Sequence, residues 1–273
     1  GFCTLFEEWT TTAQASQVEM AATQTIWMPF PKQSIHIVLY ERKYEDNLFH
    51  RMFEFDVDPT DKLIRRGAEN SFAVEDLQVS GDMAHKVDIL FVAEGYTAQE
   101  MDKFRDDARK FTEYLFSMAP YDKRRNDFNV RLLLSVSDES GVDIPHKDIW
   151  KRPVCNSNFY TFRTDRYLTI EDHSRIASTV SGAPFDALFV IANGKKYGGG
   201  GIYNSYAMGT AGNSLSNQVF IHEFGHFYSF YLYGPDLAYN IDIDEIHSQG
   251  DEILFLPEYK KLFGDKAFKK ISI

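Results

Sequence analysis

Up to about residue 78 the apolar positions come in short runs bounded by turn residues, without sustained helical spacing. Residues 34–41 and 48–57 read as strands, the second with near-alternation of apolar and polar side chains. Met28-Pro29-Phe30-Pro31 breaks the chain before the first, and Asp58-Pro59-Thr60-Asp61 turns it after the second. The pattern changes near Gly81. Residues 86–93 are one continuous apolar run, as in a strand buried on both faces of a sheet. Thr97-Ala98-Gln99-Glu100 is a capping box that opens a helix. Met101, Phe104, Ala108, Phe111, Leu115 and Met118 then recur at helical steps until Pro120 ends it. Residues 128–136 and 186–192 read as further buried strands, 170–180 as a short helix and 202–208 as another strand. The run from Val219 to Leu232 is helical and apolar nearly all round, hence buried.

This order predicts an α/β (α+β) domain with a mixed sheet over residues 79–273. Residues 1–78 read as a small β domain, partial and β-sandwich-like. His36 and His50 fall on strand faces and are assigned no chemistry. A long connection runs from Ser137 to about Tyr167. Such a loop is either functional or an ordered surface excursion.

Composition sharpens the picture at a few points. The chain has 273 residues, room for one large or two smaller domains. It is 44% hydrophobic and unusually aromatic, with 23 Phe and 15 Tyr, so a substantial core is expected. A net charge of −11 argues against nucleic acid or an anionic membrane as partner, since both call for a basic patch. No apolar run reaches the ~20 residues of a spanning helix. The two cysteines, Cys3 and Cys155, leave pairing open. The chain opens at Gly1 with neither a start methionine nor a signal peptide, as a processed or trimmed product would.

The chemistry concentrates in His222-Glu223-Phe224-Gly225-His226. Positions i and i+4 of a helix lie on one face, so both imidazoles can reach one ion. Glu223 follows the first ligand and can act as general base on the metal-bound water. Imidazole suits Zn²⁺ better than Mg²⁺ or Ca²⁺, which prefer oxygen. Two satisfied core histidines are the bland alternative, but unpartnered histidines and a glutamate on a buried helix would be costly. Upstream, Gly198-Gly199-Gly200-Gly201 lets the backbone turn sharply or approach a ligand closely. A phosphate loop does not fit, because no Lys-Ser or Lys-Thr follows. One reading is a loop and edge strand lining a cleft, with Gly200, Gly201, Tyr203 and Tyr206 meeting an extended peptide. The other is a flexible hairpin.

Residues 86–97, the run Tyr197-Gly198-Gly199-Gly200-Gly201-Ile202-Tyr203-Asn204 and the His-Glu-x-x-His helix together resemble the IgA peptidase family of zinc metallopeptidases, common in gut Bacteroidetes. The resemblance runs from Gly1 to about Tyr228. It implies a zinc endopeptidase domain, whose element order is metzincin-like by analogy of fold, after an N-terminal β domain in which Gly1 falls, and secretion to the periplasm or cell surface. It also implies one Zn²⁺ held by His222 and His226, with Glu223 activating water. The implied partner is a protein or peptide substrate, with immunoglobulin or another host or dietary glycoprotein as the candidate class.

The family continues with Gly-Leu-Ala-Asp-Glu-Tyr, whose Asp is the expected third ligand. Here the ungapped position is Tyr233, within Phe230-Tyr231-Leu232-Tyr233-Gly234-Pro235-Asp236. Asp236 is the first alternative, since Gly234-Pro235 would end the helix and turn the chain back. Glu245 is the second, and a missing third ligand the last. Tyr233 itself is a weaker donor than a carboxylate. Asp242, Asp244, Glu245 and His247 read as a solvated surface rather than a second metal site. Tyr203 and Tyr206 are candidate oxyanion donors. The expected function is zinc-dependent endopeptidase; the rival is a degenerate homologue surviving as a protein- or glycoprotein-binding module.

Overall fold

The computed structural model describes residues 12–18, 28, 31–43, 45–46, 48–119, 121–202 and 205–233, with the backbone alone at 41–42 and 226–233. Two compact units emerge: Ile26–Gly67, and Gly1–Thr25 together with Ala68–Ile273.

The smaller unit is an antiparallel ribbon of β1 (Ile35–Arg42) and β2 (Phe49–Val57). Leu39 pairs with Phe53 but Tyr40 with Arg51, so Met52 is the extra residue of a bulge. His36 faces Asp56 across the ribbon, Nδ1 to Oδ1 at 2.7 Å, and this bond raises the imidazole pKa. Both strands match the sequence expectation. Among the described residues the unit is a single two-stranded sheet, not the two facing sheets of a sandwich.

The larger unit is built on β3 (Val74–Gln78), β4 (Val87–Glu94), β5 (Phe128–Leu133), β6 (Asn158–Phe159), β7 (Leu168–Thr169), β8 (Ala187–Ala192), β9 (Gly199–Ile202) and β10 (Tyr206–Thr210). Six of these form one mixed sheet in the order β3-β5-β4-β8-β10-β9. β4, β5, β8 and β10 run parallel, and β3 and β9 are the antiparallel edges. β3 was not expected: Val-Glu-Asp-Leu-Gln has too little apolar character to announce a strand. It lies within the stretch read as the N-terminal domain, yet pairs with β5. The strand expected over 202–208 is divided between β9 and β10, and the glycine run is itself β9.

Helices α1 (Met101–Leu115) and α3 (Ser216–Tyr233) cover one face. The capping box is present ahead of α1, with Thr97 N–H donating to Glu100 Oε2 at 3.0 Å. Helix α2 (His173–Val180) starts three residues later than the periodicity suggested, where Asp172 caps it by accepting from Ser174 N–H. The alternate strand residues Leu90, Val92, Leu188, Val190 and Met208 are fully buried, so the second face is covered too. That double cover explains the continuous apolar runs of β4 and β8.

Phe220 of α3 is the centre of the first face. It stacks on Phe111 at 4.9 Å between centroids and meets Phe189 edge-on at 4.8 Å. Phe91 and Phe224 lie 5.8 and 5.6 Å away. Phe220→Ala should cost about 3–5 kcal/mol, measured by urea unfolding; a loss under about 1 kcal/mol would contradict this packing.

The run Glu94-Gly95-Tyr96-Thr97 ends β4 and ties down the long connection. Fully buried Glu94 accepts N–H bonds from Cys155 at 2.9 Å and Ser157 at 3.0 Å. Gly95 has φ +72° and passes so close to Gly141 that a Cβ would stand 2.4 Å from its carbonyl oxygen. Buried Tyr96 donates its hydroxyl to Asp107 at 2.8 Å. Cys155 is a free, buried thiol, and Cys3 lies outside the described residues. The connection is thus an ordered excursion over much of its length.

Burial raises the Glu94 carboxyl above the ordinary carboxylate range, against the pull of its backbone donors. A carboxyl raised by folding holds its proton more tightly in the native state. Its contribution to stability is therefore full below the unfolded pKa and declines as pH rises through the folded one. Unfolding between about pH 4 and about pH 8 should show wild type losing stability relative to Glu94→Gln as pH rises. Parallel curves would refute that.

Candidate active site

Helix α3 carries the His-Glu-x-x-His run, and its start is fixed locally. Asn213 Oδ1 accepts from Leu215 N–H at 2.9 Å, and Asn213 N–H donates to Ser216 Oγ at 3.0 Å. These bonds fix the turn that leads into the helix.

The first turns of α3 then come down on a cross-strand pair of glycines. Gly199 of β9 is opposite Gly209 of β10. A Cβ on Gly209 would lie 3.2 Å from Val219 Cγ1. On Gly199 it would lie 2.6 Å from the same methyl, 2.8 Å from the Met208 carbonyl oxygen and 3.1 Å from Glu223 Oε1. Val219 and Glu223 are one helical turn apart, so the stripe that touches β9 includes the glutamate of the motif. Glu223 and His222 are half-buried, whereas Phe220, Ile221 and Phe224 are buried. Glu223 therefore faces the glycine strand from a helix whose neighbouring side chains Phe220, Ile221 and Phe224 are buried.

The other expected site residues divide into two groups. Position 226 is helical and one turn beyond His222, with backbone alone described. Tyr233 is the last residue of α3 under the same limit, and Tyr203, Asp236 and Glu245 lie outside the described residues. Among the described residues, which include His222 and Glu223 but not the side chains of the other candidate ligands, no group of three or more His, Cys, Asp or Glu is arranged to hold a metal.

Tyr206 is described and is a correction. It is buried, and its hydroxyl both accepts from Ile170 N–H at 2.7 Å and donates to Ile170 O at 3.0 Å. A phenol committed twice to the backbone of one residue is a packing anchor, not an oxyanion donor. Gly200 is likewise a packing glycine, because a Cβ there would stand 2.5 Å from Leu168 O. The edge of β9 is not open along its length either. Gly199 N–H donates to Arg166 O at 3.3 Å, and Tyr167 bridges to Gly199 as a parallel neighbour. Gly201, half-buried and paired with Ala207, lies beyond that bridge.

The IgA Peptidase M64 family model matches residues 75–261, and the Peptidase M64 N-terminus model matches residues 1–54. The chain belongs to the IgA peptidase M64 family. No curated protein matches it. The M64 match begins at the second residue of β3 and takes in the rest of the six-stranded sheet and α3. Membership makes this a chain of a metallopeptidase family, whose reaction is hydrolysis of peptide bonds.

Sequence reasoning missed Val219 and the cross-strand glycine pair. The glycine run did signal close approach, but the approaching body is the chain's own helix. Gly199→Ala should destabilise the fold by about 1–3 kcal/mol and displace Glu223. Trimming the methyl it strikes, in Gly199→Ala/Val219→Ala, should recover part of the stability. If Gly199→Ala unfolds at the same denaturant concentration as wild type, the close approach is refuted.

Proposed function

We propose that this M64 chain is a zinc-dependent endopeptidase acting on protein substrates, with His222 and His226 holding one Zn²⁺ and Glu223 as general base. The supporting observation is the placement of the Glu223 carboxylate against Gly199 of the sheet edge, next to half-buried His222. Imidazoles at i and i+4 on a helix fit a zinc ion in spacing and donor type. Asp236 is the first candidate for a third ligand, ahead of Glu245 and Tyr233. When bound, zinc would acidify water and polarise a carbonyl oxygen.

The residues of the chain then have defined tasks. Glu223 takes a proton from the attacking water as its oxygen bonds to the carbonyl carbon. The same carboxyl returns that proton to the departing amine nitrogen as the C–N bond breaks. Helix α3, seated by Phe220 and Val219, keeps the base at fixed depth beside the sheet edge. The fold order, a mixed sheet with an antiparallel edge strand beside the motif helix, supports a metzincin-like arrangement by analogy. The periplasm or cell surface is the proposed location, with immunoglobulin or another host or dietary glycoprotein as the substrate class.

A second reading is a catalytically degenerate homologue that binds protein. Tyr233 favours it, standing where the family pattern carries the third-ligand Asp. Metal analysis and proteolysis separate the two. The enzyme reading expects about one zinc per chain, loss of zinc in His222→Ala, and a fall of about a thousandfold or more in turnover for Glu223→Gln with zinc retained. Purified protein that carries no zinc and cleaves no protein would decide for the binding module.

A further inference from the structure

At the start of β9 the chain gathers cations that contrast with its overall acidity. Segments 146–148, 163–166 and 195–196 meet there. His146 Nε2 lies 2.7 Å from Asp165 Oδ1, Lys196 Nζ lies 3.0 Å from Asp165 Oδ2, and Arg166 O holds Gly199 N–H at 3.3 Å. These segments contain Lys147, Arg163, Arg166, Lys195 and Lys196 against only two carboxylates, Asp148 and Asp165, in a chain whose net charge is −11.

Both carboxylates are already occupied. Asp148 accepts from Trp150 Nε1 at 3.0 Å. Asp165 is held below its ordinary pKa by its bond to Lys196 first, with His146 and Lys147 adding their charge. Among the described residues, Lys147, Arg163, Arg166 and Lys195 are exposed and make no ion pair. The turn that presents Arg163 is held against local preference. Tyr160, Phe162 and Arg163 all have positive φ, at 71°, 50° and 64°. Non-glycine residues kept in that region concentrate at active sites, ligand clamps and switch regions.

The position of this wall gives it a use. Arg166-Tyr167 is the next chain over from Gly199, about 4.8 Å away in a sheet. Gly199 is also the residue over which Glu223 sits. We propose that the wall formed by Arg163, Arg166 and Lys195 binds acidic side chains of a polypeptide substrate beside the bond to be cleaved. The proposal rests on the peptidase reading and adds a substrate class to it. Guanidinium groups match carboxylates in shape and charge. A local positive field lets an acidic segment approach a protein that otherwise repels it.

The test uses the full chain carrying Glu223→Gln, to prevent cleavage, and fluorescence anisotropy. Three labelled peptides of equal length share an amidated C-terminus and differ only in Asp/Glu, Asn/Gln or Lys at the same positions. The acidic peptide should bind about tenfold tighter than its amide counterpart at about 50 mM salt, with the gap shrinking at about 500 mM. Adding Arg163→Ala/Arg166→Ala/Lys195→Ala should remove the gap, and Arg166→Glu alone should shift preference toward the Lys peptide. These positions are exposed, and thermal unfolding checks that the variants fold. Equal affinity for acidic and amide peptides, or a gap that survives the triple variant, overturns the proposal. Cleavage of the same peptides by wild type is scored separately. Binding preference without cleavage would overturn the peptidase reading and leave the acidic-binding wall standing.

Discussion

The seating of Phe220 among Phe91, Phe111, Phe189 and Phe224 fixes both the depth and the rotation of α3 on the sheet. A helix locked by interleaved rings has little freedom to turn about its axis, because each ring fills a gap shaped by its neighbours. The position of Glu223 follows from that lock. Val219 and Glu223 lie on the adjoining stripe, and bare backbone at Gly199 and Gly209 lets that stripe come close. The candidate site is thus a by-product of core packing: the apolar side sets the angle, and the polar side inherits its position.

Much of the fold was legible because its central strands are buried on both faces. Residues 86–93 and 186–192 could hardly be anything but interior strands, and the Thr97–Glu100 box marked the start of α1. What stayed hidden has physical causes. β3 carries two acidic residues in five and is half-exposed, so it lacks an apolar signature; it is a strand because β5 offers it a ladder. The glycine run was ambiguous because glycine marks closeness without naming what comes close. Tyr206 drew attention as a hydroxyl near a glycine strand, but sequence does not reveal that the backbone of Ile170 claims it on both sides.

The chemistry was legible to a different extent. The His-Glu-x-x-His spacing carries its own geometric reason, and the M64 match agrees with the resemblance on which the reading drew. Glu94 went unremarked, since a carboxylate at a strand end is ordinarily a surface group. Here it is an interior acceptor that anchors the connection at Cys155 and Ser157.

The hydrogen bond from Gly199 to Arg166 has a consequence for recognition. A foreign chain laid beside β9 finds the first rung of the ladder taken by the protein itself. Main-chain pairing, which is indifferent to sequence, is then confined to the positions beyond Gly199. With that rung taken, telling one extended polypeptide from another would fall more to the side groups each brings than to the ladder itself.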